Sequence, residues 1–532
     1  MGNPHKFEAT GRAAVAGRDA GDAPSISPHV QLPGPDGRGV AASWPTVKIR
    51  HAALIRVTHW LTTLAFLALL VTGVEILISH PRFYWGETGN VHTTPLFTLR
   101  IPSSRGTVPT GYGYVLPDQN GWSRYLHFES AWVAVLTGLL YVAFGFWKGH
   151  FRQSLLPAPS DRSLRGLATA IARHLRFRRP SEEEAWSYNA LQRLTYLFVI
   201  FVLFPLIIWT GLAMSPGFTS VVPTAVTLLG GRQSARTLHF FVSGFLVLFL
   251  LVHVFMVCLA GFRNRVGDDH RSHNHTQGVS MGQMSRRKLI TAGLATVAGA
   301  SGLAVAAKLA ARYGLIPPDA GVLYGAGETL TYAAQRLLNR HALAREFAPS
   351  QISSYPFANA VDRLGDQFQL LQQGAFADWR LAVDGMVARP ALFSLAELKS
   401  FPASTQITEI ACEEGWSYVA EWKGVPLSHV MDRVGALPQA RYVFYRSFQS
   451  DWYESIDMAD ALHPQTLVAY GMNGGELPVG FGGPLRLRVP RQLGYKSVKY
   501  ITRLTLTDNL KKLGQGMGSA AAEGGYAWYA GI

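Results

Sequence analysis

The stretch that decides the fold is residues 238–262, LHFFVSGFLVLFLLVHVFMVCLAGF. It is apolar almost throughout and has one histidine near each end, His239 and His253. Because a helix needs about 20 apolar residues to cross a bilayer, the stretch predicts a membrane span. Two positions 14 residues apart fall on nearly the same helix face, about 21 Å apart along the axis. One helix therefore offers an imidazole near each membrane surface.

Three similar apolar stretches precede it, at about 54–78, 128–147 and 194–214. A fifth, at 289–311, is long enough to cross a membrane but consists mostly of Ala, Gly, Leu, Val and Thr. After it, the apolar residues come in short pieces typical of β-strands, such as 441–448 and 485–489. We therefore predict a multi-domain chain, with an all-α transmembrane four-helix bundle and a fifth anchor helix followed by an α+β, β-rich domain.

The composition fits a membrane protein better than a soluble enzyme. Of 532 residues, 48% are hydrophobic and only 16% are charged, against about 25% charged residues in soluble domains. The two cysteines, Cys258 and Cys412, are too few for a disulfide framework, a four-cysteine zinc site or a thiolate-held iron–sulfur cluster. A covalently attached c-type haem is also excluded, since no Cys-x-x-Cys-His run occurs.

The positive charges predict how the chain is oriented in the membrane. Lys and Arg number 7 in the tail through Arg56, 8 in the loop 148–190 and 6 in 263–288, but only 4 in 79–126 and 2 in 214–236. The N-terminus is therefore expected in the cytoplasm of a bacterium and, after five crossings of the inner membrane, the C-terminal domain in the periplasm. The net charge of +15 follows largely from this bias, so no nucleic-acid partner is expected.

Four histidines in or near the spans are predicted to hold two haems. Histidine within a bilayer is costly unless it is paired or ligated. In the predicted topology, His59 at the inner end of the first span pairs with His253, and His127 at the outer mouth of the second span pairs with His239. Two haems with two histidine ligands each would then stack across the membrane.

Other polar clusters carry less weight. His51 and His150, at helix ends, are the alternative haem ligands. The run 268–275, DDHRSHNH, could bind a metal, but a solvated loop is the simpler interpretation. The run 285–288, SRRK, resembles a twin-arginine export signal in an internal position, and positive charge beside a membrane helix is the alternative.

The surroundings of the histidines resemble the di-haem cytochrome b subunits of formate dehydrogenases and hydrogenases. The likeness rests on Arg56-Val57-Thr58-His59-Trp60, on Thr72-Gly73 and on Leu238-His239-Phe240 through His253. It covers about residues 48–265. It implies a quinone-reactive four-helix bundle that carries two b haems and contacts membrane lipid.

Cys412 lies in the run 410–417, IACEEGWS. A lone cysteine can be an inert buried thiol or an activated nucleophile. This run resembles the Cys-x-Glu-Gly-Trp-Ser core of the sulfite-oxidase-like molybdopterin enzymes, in particular their periplasmic methionine-sulfoxide reductase branch. Three further blocks follow in the family's order, at 422–427, 483–487 and 494–499, and the likeness covers about residues 345–508.

The resemblance implies a molybdenum held by the thiolate of Cys412 and by the dithiolene of molybdopterin, since a soft thiolate suits this metal. It also implies that Glu414, near the metal, moves protons, although a salt bridge is an equal alternative. Phe481 stands where the reductase branch commonly has a polar cofactor contact. The Cys-Ala-Gly-Asn-Arg run of sulfite oxidases is absent, which argues against sulfite and leaves the substrate open.

Further cofactor contacts follow from the same resemblance. A pterin phosphate needs cations and free backbone N–H groups. The residues implied are the charged Arg486 and Lys496, the close backbone of Gly494 and Tyr495, and the weaker candidates Ser447 and Asn359.

The predicted organisation has six segments: a disordered tail (1–47), a di-haem cytochrome b domain (48–265), a cytoplasmic loop with the fifth helix (266–312), a linker (313–350), a molybdopterin domain (351–515) and a C-terminal tail (516–532). Electrons would pass from quinol through two haems to a molybdenum that reduces an S-oxide, either free or protein-bound. The loop 79–126 and the stretch 313–350 would dock the outer domain onto the haem end. Two alternatives stay open: a dehydrogenase delivering electrons to quinone, and an electron-transfer docking protein without molybdenum.

Overall fold

The computed structural model describes residues 53–101, 107–109, 115–117, 121–156, 190–268, 308–310, 312–316, 325–359, 364–449 and 451–532. All of them belong to one compact unit, Ala53–Ile532. The predicted tail 1–47, the twin-arginine-like run 285–288 and His51 lie outside the described residues. So do nearly all of the fifth apolar stretch and all but the first residue of the run 268–275.

Four helices in the described ranges are long and apolar enough to cross a membrane. The first is Ala53–Ser79 and the second Gly121–Trp147. The third runs through Ala190–Phe198, a π-helical segment Val199–Leu203, and Phe204–Leu212. The fourth is Arg232–Asp268. The prediction of four apolar spans is confirmed, but the second and fourth helices begin six or more residues before the predicted starts at 128 and 238.

Short elements connect the spans on the side where these early starts lie. Between the first and second helices, β1 (Arg82–Phe83) pairs with β2 (Phe97–Thr98), and β3 (Thr107–Pro109) pairs with β4 (Val115–Pro117). Between the third and fourth helices stand the short helices Pro216–Val221 and Pro223–Thr227. At the other side, the π-helical turn Phe151–Leu155 follows the second span.

Two five-stranded sheets make up most of the C-terminal half. The first has the order β10-β9-β14-β5-β6, where β5 and β14 are parallel. Its strands are β5 (Arg380–Gly385), β6 (Ala391–Ser394), β9 (Tyr442–Ser447), β10 (Tyr453–Asp457) and β14 (Ile501–Thr507). The second has the order β12-β11-β8-β7, and β13 also pairs with β11. Its strands are β7 (Ser404–Ala411), β8 (Ser417–Pro426), β11 (Leu467–Met472), β12 (Gly475–Glu476) and β13 (Arg486–Arg488).

The main core lies between these sheets and the short helices around them. Those helices are Gly365–Gln373, Leu395–Ser400 and Leu427–Val434. The helix Leu395–Ser400 begins with a capping box, in which Ser394 and Glu397 satisfy each other's backbone N–H groups. The helix Leu427–Val434 ends at Gly435, whose φ of 66° is the left-handed cap that glycine adopts without a steric penalty.

The predicted linker and the predicted C-terminal tail both contain ordered structure. In the linker, helix Ala326–Leu338 packs against the second membrane helix, where the Glu129 carboxylate accepts from the N–H groups of Gly327 and Glu328. In the tail, helix Ala520–Glu523 is followed by the buried Trp528 and Tyr529. The packing of the segment 516–532 could not be predicted from the sequence, because its apolar residues form no regular period.

Candidate functional site

The first candidate site lies near the ends of the membrane helices that meet the C-terminal half. The rings of His127 and His239 are 6.4 Å apart between centroids. Two imidazoles that bind one metal ion from opposite sides, each at about 2.0 Å, have centroids about 6 Å apart. Gly73 and Gly211 lie beside these rings, since a Cβ on either would stand 3.7 Å or 3.5 Å from an imidazole carbon. The pair therefore fits a group bound between two histidines.

A threonine fixes the tautomer of each of these histidines. The Oγ1 of Thr72 is 2.9 Å from Nδ1 of His127, and the Oγ1 of Thr210 is 3.0 Å from Nδ1 of His239. Each hydroxyl also donates its one hydrogen to the backbone carbonyl four residues earlier in its own helix. The hydroxyl must therefore accept from Nδ1–H. This leaves both Nε2 lone pairs available for a metal, as is usual for ligating histidines.

The second candidate site lies toward the other end of the same helices. The rings of His59 and His253 are also 6.4 Å apart. Tyr196 and Phe249 pack on His253, with ring centroids 6.1 Å and 5.6 Å away. The structure therefore brings together the two histidine pairs expected from the sequence, whereas His150 packs on Tyr141 and Phe151.

Cys412 lies in the tight turn between β7 and β8. Its N–H donates to the Trp416 carbonyl at 3.0 Å, and its carbonyl accepts from Gly415 N–H at 3.0 Å. Burial raises the pKa of the Cys412 thiol well above its usual value, and the charges of Glu413 and Glu414 raise it further. A thiolate at this position therefore needs a bound cation, and metal coordination supplies one.

The two glutamates beside Cys412 are half-buried, as is the cysteine itself. Burial, followed by the charge of Glu414, raises the pKa of Glu413 to about 7, and its Oε2 lies 3.2 Å from the sulfur of Cys412. Burial also raises the pKa of Glu414. The Oε2 of Glu414 accepts from the indole N–H of Trp416 at 2.5 Å. The Glu413 carboxyl group can thus hold a proton close to the sulfur, and Glu414 can hold one elsewhere in the same turn.

Two buried arginines and one half-buried lysine stand near this turn without a carboxylate at ion-pair distance in the described part of the chain. Arg486 donates to the carbonyls of Ser497 and Phe481, and Lys499 donates to those of Asn359 and Gly480. Nε of Arg488 has no partner among the described residues. Burial and then Arg486 lower the pKa of Arg488 to about 9 and that of Lys499 to about 7.

Buried cations without a counter-ion are costly. An anionic group bound beside Arg486, Arg488 and Lys499 would remove that cost. The phosphate of a pterin cofactor has the required charge and accepts hydrogen bonds from guanidinium and ammonium groups. The residues present therefore fit molybdopterin.

Most of the other predicted cofactor residues surround the same place. Gly494 lies against the turn, since a Cβ there would stand 3.5 Å from Cα of Cys412. The hydroxyl of Ser447 donates to the Lys499 carbonyl at 3.0 Å, and the Asn359 carbonyl accepts from the Lys499 ammonium at 3.0 Å. Tyr495 is buried and donates to the Ala527 carbonyl at 2.7 Å.

Lys496, by contrast, forms an ion pair with a buried carboxylate. Its ammonium lies 2.6 Å from a carboxylate oxygen of Glu454, and both side chains are fully buried. The Ser455 carbonyl also accepts from it at 3.0 Å. The lysine that stands with Arg486 is Lys499, three residues later. A phosphate-binding role for Lys496 stays a prediction.

The turn that holds Cys412 rests on the outer ends of the membrane helices. The Glu413 carbonyl accepts from Arg124 of the second helix at 2.8 Å. In the predicted docking loop, Gly89 exchanges two backbone hydrogen bonds with Ser417, at 3.2 and 2.9 Å. Glu87 in the same loop forms an ion pair with Arg345 of the predicted linker at 2.8 Å. The loop 79–126 therefore contacts both the C-terminal half and the predicted linker.

Two further sequence signals lie near the predicted haem histidines. Thr210-Gly211 lies beside His239 as Thr72-Gly73 lies beside His127, although Thr-Gly also occurs at 10–11, 88–89, 110–111 and 137–138. Arg-x-x-His occurs at 56–59, 124–127 and 236–239. Arg488 and Lys499 could not be predicted from the sequence, because only the fold brings their side chains to Arg486.

Comparison with protein families defines the class. Residues 50–268 match the model described as prokaryotic cytochrome b561, and residues 370–513 match the oxidoreductase molybdopterin binding domain. The chain thus combines a segment that matches a b-type cytochrome family, with four helices long enough to cross a membrane, and a segment that matches a molybdopterin oxidoreductase family, as its sequence motifs predicted. Haem b and molybdenum–molybdopterin are the cofactors of these two domains.

The more particular likeness is to subunits of methionine-sulfoxide reductases. The putative protein-methionine-sulfoxide reductase subunit YedZ1 of Azospira oryzae is 40% identical over 155 residues, covering 29% of this chain and 56% of that protein. The catalytic subunit MsrP of Xanthomonas campestris pv. campestris is 36% identical over 147 residues, covering 25% and 46%. The chain therefore spans about half the length of the curated relatives it matches.

One solved structure is similar over part of the chain. It is the sulfane dehydrogenase SoxCD from Paracoccus pantotrophus, with 26% identity over 25% of this chain and 39% of that chain, at a TM-score of 0.24.

Proposed function

We propose that this protein is a membrane-bound molybdoenzyme that passes electrons from quinol through two b haems to a molybdenum centre, which reduces an S-oxide. The inner haem would be held by His59 and His253, and the outer haem by His127 and His239. Cys412 would hold the molybdenum. The names of the similar proteins, both methionine-sulfoxide reductase subunits, favour a methionine sulfoxide as the substrate.

One observation carries the proposal: the Cys412 turn is bonded directly to the helix that holds an outer histidine. The Arg124 guanidinium donates to the Glu413 carbonyl at 2.8 Å, and Arg124 precedes His127 by three residues in one helix. A domain that served only to bind partner proteins would not need its Cys412 turn beside the membrane helix that carries His127. Beside that turn, Arg486, Arg488 and the half-buried Lys499 have no carboxylate at ion-pair distance among the described residues, which also argues against a domain without an anionic cofactor.

When bound, the haems supply one-electron transfer and the molybdenum cofactor supplies removal of an oxygen atom. The chain's own residues bind and orient these groups. Thr72 and Thr210 bond Nδ1 of His127 and His239, which would leave Nε2 of both rings to bind a haem iron. Glu413, which lies 3.2 Å from the sulfur of Cys412, and the neighbouring Glu414 would hold protons in this turn. Arg486, Arg488 and Lys499 would offer charge to the pterin phosphate.

We extend the proposal to location and domain organisation. The positive-charge bias supports a cytoplasmic N-terminus and a periplasmic molybdenum domain in a bacterial inner membrane. A fifth anchor helix over 289–311, preceded by an internal twin-arginine-like signal, would connect the two domains. The segment bounds 48–265 and 351–515 enclose the two proposed cofactor domains.

The test begins with purified full-length protein. Two haems b and one molybdenum per chain are expected by pyridine haemochrome spectroscopy and elemental analysis. Quinol should reduce both haems, and methionine sulfoxide should then reoxidise them. A preparation without haem or molybdenum, or haems that stay reduced with every S-oxide, would refute the proposal.

A cysteine variant separates the two halves of the pathway. Cys412→Ser should abolish reoxidation of the haems by the S-oxide, while quinol still reduces them. The matched control is Cys258→Ser, because Cys258 is exposed on the fourth membrane helix and should leave both steps unchanged. Reoxidation at the wild-type rate in Cys412→Ser would exclude this cysteine as the metal ligand.

A further inference from the structure

Two arginines stand one helical turn outside the outer histidines. Arg124 precedes His127 in the second membrane helix, and Arg236 precedes His239 in the fourth. In both cases the offset is three residues, which is about 4.5 Å along the helix axis on nearly the same face. Each arginine therefore lies between one imidazole and the C-terminal half of the chain.

Both arginines hold the turn that contains Cys412. Arg124 donates to the Glu413 carbonyl at 2.8 Å, and Arg236 donates to the Gly415 carbonyl at 3.2 Å. Glu413 directly follows Cys412, and Gly415 closes the turn. The two membrane helices thus grip this turn at two of its carbonyls.

Both arginines also contact His80, which follows the first membrane helix. Arg236 donates to the His80 carbonyl at 2.7 Å, and a guanidinium nitrogen of Arg124 meets Nε2 of the His80 ring. Burial and then the two guanidinium charges hold the pKa of His80 well below its ordinary value, so the ring is neutral and accepts from Arg124.

The ring of His80 lies so close to Gly415 of the turn that no side chain fits between them. Gly415 has a φ of 84°, and a Cβ there would lie 2.8 Å from Nδ1 of His80. Only glycine meets both conditions without strain. His80 and the two arginines therefore form a rigid bridge between the outer ends of three membrane helices and the Cys412 turn.

We propose that Arg124 and Arg236 are positioning residues for electron transfer, because they fix the Cys412 turn over the outer histidine pair. This inference rests on the proposed function. Each transfer moves one electron outward from the outer haem. Two transfers together with two protons convert an S-oxide to the sulfide and water, and one quinol supplies both electrons and becomes quinone.

The test compares Arg124→Gln/Arg236→Gln with Arg232→Gln in the full-length protein. Arg232 is a matched control: it lies one turn from Arg236 and also reaches the C-terminal half, through an ion pair with Glu409 at 3.0 Å, but it does not hold the turn. The first readout is haem reoxidation by methionine sulfoxide after reduction by quinol. The rate of this reoxidation is divided by the rate of turnover with reduced methyl viologen, which supplies electrons to the molybdenum domain without the haems.

The double variant should lower this ratio about tenfold or more, since small displacements of reacting groups have effects of that size, whereas Arg232→Gln should leave it unchanged. The second readout needs no turnover. Hydrogen–deuterium exchange of peptides covering 412–417 should accelerate in the double variant and not in the control. An unchanged ratio together with unchanged exchange would overturn the inference.

Two further outcomes remain decisive. If the double variant does not retain haem, the single variant Arg236→Lys is tested instead, because lysine keeps the charge and one donor. A ratio of haem reoxidation to methyl-viologen turnover between those of the wild type and zero supports the inference. A wild-type ratio with wild-type hydrogen–deuterium exchange refutes it. If wild-type haems are not reoxidised by any S-oxide, the proposed function fails. The exchange experiment then still decides whether the arginines position the turn.

Discussion

The threonine–histidine hydrogen bonds make a quantitative prediction about one haem only. Thr72→Val and Thr210→Val keep the side-chain shape but remove the acceptors of Nδ1–H in His127 and His239, at 2.9 and 3.0 Å. A hydrogen bond of this kind contributes about 1 kcal/mol net. It also makes the imidazole more basic, which stabilises the oxidised iron. Loss of one bond should therefore raise the midpoint potential of the outer haem.

The size of the shift follows from the energy. A tenfold change in an equilibrium constant corresponds to about 59 mV for a one-electron couple, so about 1 kcal/mol is about 40 mV. We expect about 40 mV in each single variant and about twice that in the double variant, if the two bonds act independently. The second proposed haem, between His59 and His253, should keep its potential.

The assay is a redox titration of the purified protein followed in the visible haem bands. Thr62→Val is the matched control, because Thr62 also links the first two membrane helices, through a 2.9 Å contact with Thr137, but it does not bond a histidine. Equal potentials in Thr72→Val and wild type would show that the tautomer argument is wrong. Shifts of both haems would instead mean that the substitutions disturb the whole bundle.

Three further predictions concern the C-terminal half. Lys496→Met should lower the free energy of unfolding by about 3–5 kcal/mol, because it leaves Glu454 buried without its partner; Lys496→Met/Glu454→Leu should recover most of the loss in denaturant titrations followed by tryptophan fluorescence. Arg488→Met should reduce the molybdenum retained after dialysis while haem content stays constant, and an unchanged molybdenum content would remove Arg488 from the cofactor site. Burial raises the pKa of Glu409 to about 7, so the folded state binds a proton more tightly than the unfolded state. The free energy of unfolding should therefore fall as pH rises from about 4.5 to about 7. Glu409→Gln should flatten this part of the stability–pH curve, and an equal slope in both proteins would contradict the assignment.

The position of the Cys412 turn also bears on how the two domains cooperate. The turn is bonded to two membrane helices through Arg124 and Arg236, and to the loop between the first two helices through Gly89. Helix Ala326–Leu338 adds a contact, in which the Trp132 indole donates to the Thr331 hydroxyl at 2.8 Å. The junction is thus polar and specific, which suits a fixed spacing between cofactors.

The sequence by itself determined the features that depend on local pattern. A span needs only length and hydropathy, so four spans could be predicted from apolar runs. The expected pairing of His59 with His253 needed only helix rise and the direction of each crossing, and the structure brings these rings together. The Cys412 motif and its neighbouring blocks identified the second domain, because their spacing in the chain is itself the signal.

Only the tertiary structure decided which charges meet. Lys496 and Lys499 are three residues apart and look equivalent in the sequence, yet one neutralises the buried Glu454 and the other lies beside Arg486. The segment 516–532 gave no periodic signal, but its buried Gly531 carbonyl accepts from Ser215, more than 300 residues earlier. Such contacts depend on how distant elements pack, and burial then fixes which partner each polar group must find.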